Sequence, residues 1–65
     1  MWVVSYDRGG LGIGSLYAAS EAEARDMAAT LKRKVSGVNI LGIEERSGSG
    51  LTYKIKQSRE RLAKL

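Results

Sequence analysis

Residues 20–34 read SEAEARDMAATLKRK and carry the signals of an amphipathic helix with defined ends. Ser20 can cap the N-terminus through its hydroxyl, and Glu23 completes a capping box by reaching back to the Ser20 N–H. Acidic residues gather in the first turns and basic residues in the last turn, as the helix dipole favours. The pattern predicts a helix over residues 21–34.

One face of this helix is apolar and built from small side chains. A spacing of i, i+3, i+4 and i+7 joins Ala24, Met27, Ala28 and Leu31. Alanine buries little surface by itself, so we expect bulky side chains on the element that this helix covers.

Two strands and a glycine-rich turn are predicted before the helix. Residues 1–7 are rich in β-branched and aromatic side chains, and residues 11–19 run back as the second strand. Between them, Gly9 and Gly10 can adopt the positive φ angles of a two-residue type I′ turn. The turn therefore predicts a β-hairpin.

The two-residue turn also predicts the register of this hairpin, with Ile13 opposite Tyr6 and Tyr17 opposite Trp2. The face toward the helix would then carry Trp2, Val4, Tyr6, Leu11, Ile13, Tyr17 and Ala19. The other face, which nothing in the chain is predicted to cover, would carry Val3, Ser5, Asp7, Gly12, Gly14, Leu16 and Ala18.

Two further strands and a short final helix are predicted after residue 37. Residues 38–46 contain isoleucines of opposite parity, and Gly42 between them can host a β-bulge that restores the alternation. Residues 51–57 alternate strictly between apolar and polar side chains, as a half-buried strand does. Ser58 can cap a short helix over residues 59–65.

These elements predict one α+β domain over residues 1–65. The expected architecture is a two-layer ββαββ fold, with one helix on a four-stranded, mostly antiparallel sheet.

The composition excludes several chemistries. The chain has no Cys and no His, so thiolate chemistry and the usual zinc ligand sets are absent, and we predict neither a metal site nor a cofactor. The adjacent carboxylates Glu44 and Glu45 would point to opposite faces of a strand. We expect a non-enzymatic protein.

No apolar run is long enough to span a bilayer, and we expect a cytoplasmic location and no membrane partner.

The glycines at positions 9, 10, 12 and 14 are the most conspicuous local composition. Backbone N–H groups in such a segment can cradle a phosphate. However, the spacing fits neither a dinucleotide-binding fingerprint nor a P-loop. We expect a hairpin turn.

Positive charge is concentrated in the second half of the chain. Residues 1–31 carry a net charge of −2 and residues 32–65 a net charge of +6. A basic half favours the phosphate backbone of DNA or RNA as a partner, although a solvated surface explains it equally well. The candidate nucleic-acid-binding residues are Lys54, Lys56, Arg59, Arg61, Lys64, Lys32, Arg33 and Lys34.

The alternative interpretation is a protein–protein interaction module, an inhibitor or adaptor that acts as a homodimer. It would use the uncovered sheet face or the hairpin tip. The candidate contacts are Leu11, Ile13, Val3 and Leu16.

The first half of the chain resembles the small arm-binding domains at the N-terminus of tyrosine recombinases. Residues 2–10 (WVVSYDRGG) match a W-x-x-x-Y strand with a glycine turn, and residues 17–25 (YAASEAEAR) match the end of a return strand and an S/T-x-x-E-A helix. The resemblance implies DNA binding through the sheet. The family has three strands before its helix, and we transfer no DNA-contacting residue from it. The small size and the lack of catalytic residues, apart from this resemblance, lead us to expect an accessory protein of a phage or mobile element.

Overall fold

The computed structural model describes residues 1–10, 12–48 and 52–65 of the chain. Its elements are strands β1 (Trp2–Asp7), β2 (Ile13–Ala18) and β3 (Asn39–Glu45) and helices α1 (Glu21–Lys34) and α2 (Thr52–Lys64). Both strand pairs are antiparallel, and the sheet order is β2-β1-β3. The α+β class is confirmed. The predicted four-stranded ββαββ architecture is wrong, because the described sheet has three strands and the order is ββαβα.

Helix α1 has the predicted bounds because its end signals are local. The Ser20 hydroxyl accepts a hydrogen bond from the Glu23 N–H at 3.1 Å. The Glu23 carboxylate reaches back one residue further than predicted and accepts from the Ala19 N–H at 2.8 Å. Past the helix end, Gly37 has a φ of 78°, which favours glycine.

The hairpin between β1 and β2 has a longer loop than predicted. The Arg8 N–H donates to the Gly12 carbonyl at 3.1 Å and closes a five-residue loop over positions 8–12. Leu11, within this loop, lies outside the described residues. Gly9, Gly10 and Gly12 all have positive φ, so the glycines allow a wider turn than the two-residue one.

The wider turn shifts the register of the hairpin by one residue. Tyr17 pairs with Val3, and Ile13 pairs with Asp7. A shift of one residue moves every side chain of a strand to the other face. The predicted faces of β2 are therefore wrong: Leu16 lies toward α1, and Tyr17 and Ile13 lie on the other face.

A β-bulge between Ile40 and Ile43 is confirmed, one residue before the predicted position at Gly42. Ser5 pairs with Gly42 and Tyr6 pairs with Ile40, so Leu41 is the extra residue. The bulge brings Ile40 and Ile43 into the same phase, and both are half-buried against the core under α1.

Residues 52–57 form the start of α2, so the predicted strand 51–57 is wrong, with Leu51 outside the described residues. The predicted helix over residues 59–65 is too short by about two turns at its N-terminal end. The alternation of a strand would place Tyr53 inward with Ile55, but Tyr53 is exposed on α2. The inward stripe of the helix consists of the half-buried Ile55 and the buried Ser58 and Leu62, and its polar middle member hides the helical spacing.

The core lies between α1 and one face of the sheet. The alanine stripe of α1 packs against bulky side chains, as expected, and Leu62 of α2 closes one side. Tyr6, at the centre of this face, lies over Gly14 on the neighbouring strand. A Cβ atom at position 14 would overlap the Tyr6 ring, so glycine provides the space for it. The sheet residues of the core are Val4, Tyr6, Leu16 and Ala18.

Helix α2 covers the outer edge of β2 and runs in the same direction as α1. The Ser58 hydroxyl accepts a hydrogen bond from the Tyr17 N–H at 2.9 Å, and Arg61 donates to the Ser15 carbonyl at 3.4 Å. Strand β3 contacts β1 and α1 among the described elements. One edge of the sheet is therefore covered by a helix, and the other edge is not covered by these elements.

Candidate nucleic-acid interface

The change from strand to helix separates two of the predicted binding residues. The predicted strand over residues 51–57 would place Lys54 and Lys56 together on its solvent face. Two residues apart on α2, they are rotated by about 200° from one another and point in different directions. The Lys54 ammonium lies 5.2 Å from the centre of the Tyr17 ring, in a cation–π contact beside β2.

Arg59 joins the two helices rather than facing a partner. Its Nε and Nη2 atoms donate to the Glu23 carboxylate at 2.6 and 3.0 Å. The hydrogen bond from Arg59 and the one from the Ala19 N–H hold the pKa of Glu23 below its usual value, and the same carboxylate raises the pKa of Arg59. The cation at position 59 is therefore balanced by an anion in the fold.

Arg61 and Lys34 also have structural hydrogen bonds. Arg61 donates to the Tyr6 hydroxyl at 2.8 Å, which gives the buried tyrosine a polar partner. Lys34 donates from Nζ to the Leu62 carbonyl at 3.0 Å, one of the last carbonyls of α2. The same carbonyl accepts from the Leu65 N–H at 3.3 Å just past the helix end, so Lys34 adds a second donor to the C-terminus of α2 from the neighbouring helix.

The fold brings the last turns of both helices to the end of the sheet where the hairpin loop lies. A cleft of about 40 Å³ between them is lined by Arg8 of the loop, Val35 after α1 and Leu65 after α2. We call this region the loop end. We define it by six cations: Arg8, Lys32, Arg33, Lys34, Arg61 and Lys64.

The loop end carries the entire net charge of the protein. Against its six cations stand two carboxylates, Asp7 and Glu60, and the Asp7 Oδ1 atom accepts from the Gly9 N–H. The rest of the chain has five cations and five carboxylates. In the described residues the ion pairs are Arg25–Glu21, Arg46–Glu44 and Arg59–Glu23, all outside the loop end.

The structure thus groups five of the eight predicted binding residues and adds one that the prediction missed. Lys32, Arg33, Lys34, Arg61 and Lys64 belong to the loop end, whereas Lys54, Lys56 and Arg59 lie elsewhere on α2. Arg8 was missed because it stands in the acidic half of the sequence. Its position next to the glycine turn was the available signal, since a hairpin loop lies at an end of the sheet.

Helix electrostatics supply one reason for this concentration of cations. The carboxyl ends of α1 and α2 lie side by side, and each carries a partial negative charge. Basic residues in both last turns offset that charge. Arg8 lies on the hairpin loop, so the partial charges at the helix ends do not explain the presence of a cation at this position.

The predicted protein-interaction residues lie in different environments. Ile13 is 75 % exposed on β2. Val3 lies on the sheet face away from α1, as predicted, but is only 1 % exposed. Leu16 belongs to the core, so its predicted place on the uncovered face is wrong. Leu11 lies outside the described residues.

Within residues 1–10, 12–48 and 52–65, no group of three or more acidic side chains lies close enough together to hold a metal ion. Neither α1 nor α2 has the length and apolar character needed to cross a bilayer.

No protein-family model, curated protein or solved structure matches the chain. The resemblance of the first half to the arm-binding domains stays a prediction.

Proposed function

We propose that this protein is a small, non-enzymatic module that binds the phosphate backbone of nucleic acid through its loop end. The observation that carries the proposal is the charge distribution. The six loop-end cations outnumber the two nearby carboxylates, whereas charges balance over the rest of the chain. A surface of one sign attracts a polyanion and orients it during approach.

All six loop-end cations are exposed, and four of them are the expected phosphate contacts: Arg8, Lys32, Arg33 and Lys64. Arg61 and Lys34 are engaged with Tyr6 and Leu62, so we assign them to shaping the surface.

Backbone contact to a duplex fits this surface better than stacking on single strands. Single-strand binding relies on aromatic side chains on which bases stack. Tyr6 is buried at the loop end, Tyr17 lies under Lys54, and Trp2 is half-buried at the opposite end of β1. Tyr53 is exposed, but it lies in the first turn of α2, at the end of that helix away from the loop end. Cations without an aromatic platform favour sequence-independent binding to duplex phosphates.

The test measures binding to a fluorescent mixed-sequence DNA duplex by anisotropy over a range of salt concentrations. The variant Lys32→Gln plus Lys64→Gln removes two loop-end charges and retains good helix formers. The control Arg46→Gln plus Lys56→Gln removes the same charge elsewhere. We expect the loop-end variant to lower the slope of log K against log salt by about 1.8, since each phosphate contact contributes about 0.9.

The control variant should keep a slope close to that of the wild type. Equal losses in the two variants would contradict a localised site and indicate attraction by net charge alone. Absence of measurable binding at low salt would overturn the proposal outright.

A protein-interaction role is the second candidate, because Ile13 and Leu41 expose large apolar side chains on separate strands. An apolar interface keeps its affinity as salt rises, whereas phosphate contacts weaken steeply. Binding to a partner protein that is unchanged between low and physiological salt would favour this role.

A further inference from the structure

A polar groove runs along the seam between β2 and α2, and we call it the seam groove. Its volume is about 130 Å³, whereas a single water molecule needs only about 10–15 Å³ of such space. The groove can therefore hold a group of several heavy atoms. The residues that define it are Ser15, Tyr17, Lys54, Gln57, Ser58 and Arg61.

The described residues of the seam groove bring positive charge and hydrogen-bond donors, and none of them is acidic. Lysine and arginine side chains supply N–H donors only, and the other residue types supply hydroxyl and amide groups. The Ser58 hydroxyl already has two partners within the fold. Glu60, the acidic residue of α2, lines an adjoining depression instead. The groove therefore suits a ligand with negative charge and several acceptor atoms.

Lys54 occupies a position in α2 where helix electrostatics disfavour a cation. It is the third residue of the helix, and the amino end of a helix carries a partial positive charge. Lys54 is half-buried, and none of the ion pairs among the described residues includes it. The Tyr17 ring, 5.2 Å from the ammonium group, is an uncharged partner. The charge of Lys54 is therefore available to attract an anion.

Arg61 shapes the loop end and also keeps free donors at the seam groove. It donates from Nη2 to the Tyr6 hydroxyl at 2.8 Å and from Nη1 to the Ser15 carbonyl at 3.4 Å. A guanidinium group has five N–H donors, so these two bonds fix its position and leave three donors for a ligand.

The two cations stand at a spacing that suits one oxyanion. Lys54 lies beside Tyr17, and Arg61 lies beside Ser15. These two residues of β2 are two positions apart in the strand, which corresponds to about 7 Å. A phosphate group with a charge-assisted hydrogen bond of about 2.8 Å on each side spans a gap of this size.

We propose that the seam groove binds one phosphate group between Lys54 and Arg61. For the source of that phosphate, the inference rests on the proposed function: it is the backbone of the nucleic acid that the loop end binds. Arg61 lines both the cleft at the loop end and the seam groove, so the two basic surfaces are continuous along α2. A strand that contacts Lys64 can thus place a further phosphate beside Lys54.

The first experiment titrates the isotope-labelled protein with inorganic phosphate at constant ionic strength and follows the amide shifts by NMR. We expect saturable shifts at Tyr17 and Gln57. Lys54→Gln removes the charge, retains a good helix former and should weaken phosphate binding at least about tenfold. Lys56→Gln is the matched control, because it removes the same charge on a different side of α2, and it should bind phosphate like the wild type.

The second experiment identifies the source of the phosphate by anisotropy with the mixed-sequence DNA duplex. Lys54→Gln should lower the slope of log K against log salt by about 0.9, the value for one phosphate contact. Lys56→Gln should keep the wild-type slope. Lys54→Arg retains the positive charge and should bind phosphate and duplex nearly as the wild type does, which separates loss of charge from loss of folding.

Phosphate shifts that do not saturate, or equal losses in Lys54→Gln and Lys56→Gln, would overturn the phosphate site. Duplex binding by Lys54→Gln with the wild-type slope would overturn the nucleic-acid backbone as the source. Saturable phosphate binding by a wild type that does not bind the duplex would overturn the proposed function and support the seam groove as a site for free phosphate.

Discussion

The hydroxyl of Ser58, in the middle of α2, accepts a hydrogen bond from the backbone N–H of Tyr17 on β2 at 2.9 Å. The same hydroxyl donates to the Lys54 carbonyl one turn earlier, also at 2.9 Å. Ser58 is 2 % exposed and has both partners within the fold. Ser58, which the sequence suggests as the N-cap of a short helix, therefore attaches α2 to the edge of the sheet.

Ser58→Ala should destabilise the protein by about 1–3 kcal/mol, because it leaves the Tyr17 N–H without its partner at a partly buried position. Urea denaturation measures the loss, and hydrogen exchange at the Tyr17 amide should accelerate. Ser36→Ala, at an exposed position, is the control and should change stability little. Equal stability of the two variants would show that the bond contributes nothing measurable.

Gly14→Ala should destabilise the protein by about 1–3 kcal/mol, since the added methyl group overlaps the Tyr6 ring. Tyr6 is buried and bonded to Arg61, so moving its ring disrupts both the core and that hydrogen bond. Gly42→Ala is the matched control, because a Cβ atom there meets nothing within 4 Å. Thermal unfolding compares the two, and a larger loss at position 42 would contradict the placement of the ring.

Protonation of Glu23 should weaken the contact between the helices in acid. Hydrogen bonds from Arg59 and the Ala19 N–H lower its pKa below the usual 4.5 in the folded state. A carboxyl group whose pKa is lower in the folded state than in the unfolded state stabilises the fold. This contribution is full above the pKa of the group in the unfolded state, and it is lost as the pH falls through the pKa of the group in the folded state. Chemical denaturation at a series of acidic pH values should show this loss in the wild type.

Glu23→Gln should be less stable than the wild type at neutral pH and should show a smaller decline in acid. NMR titration of the Glu23 carboxyl gives the folded pKa directly. A value at or above 4.5 would contradict the ion pair with Arg59.

Met27→Asp should unfold the domain. Met27 is buried between α1 and the sheet, and an unpaired carboxylate there costs several kcal/mol, comparable to the whole stability of a small domain. Ala29→Asp places the same charge on the exposed side of α1 and should remain folded. A native circular dichroism spectrum for Met27→Asp would show that the wrong face of α1 has been assigned to the core.

The parts of the fold that depend on neighbouring residues were predictable from sequence. The caps, charges and apolar stripe of α1 act within a few residues, and its bounds agree with the prediction. The presence of a bulge followed from the opposite parity of Ile40 and Ile43, because both must face the core, although its extra residue is Leu41 and not the predicted Gly42. Five loop-end cations were also identified, since the last turns of helices attract basic residues.

The hairpin register was not predictable, because the local sequence pattern permits two registers of β2 against β1. The glycines of the loop accommodate both a two-residue and a five-residue turn. Residues 13–18 carry apolar side chains on both parities, so burial alone does not choose a face for Leu16 or Tyr17. Packing of Tyr6 over Gly14 on the neighbouring strand distinguishes the two registers, and that contact exists only in the assembled sheet.

The amino-acid sequence by itself determined α1, the α+β class and the basic character of the second half. Only the tertiary structure decided the state of residues 52–58. Their alternating pattern suits a strand. The helical stripe of Ile55, Ser58 and Leu62 is recognisable only from its packing against β2. A serine is favourable at the centre of a buried stripe when an unpaired backbone amide lies beside it, and the Tyr17 amide reaches that place only after the sheet has formed.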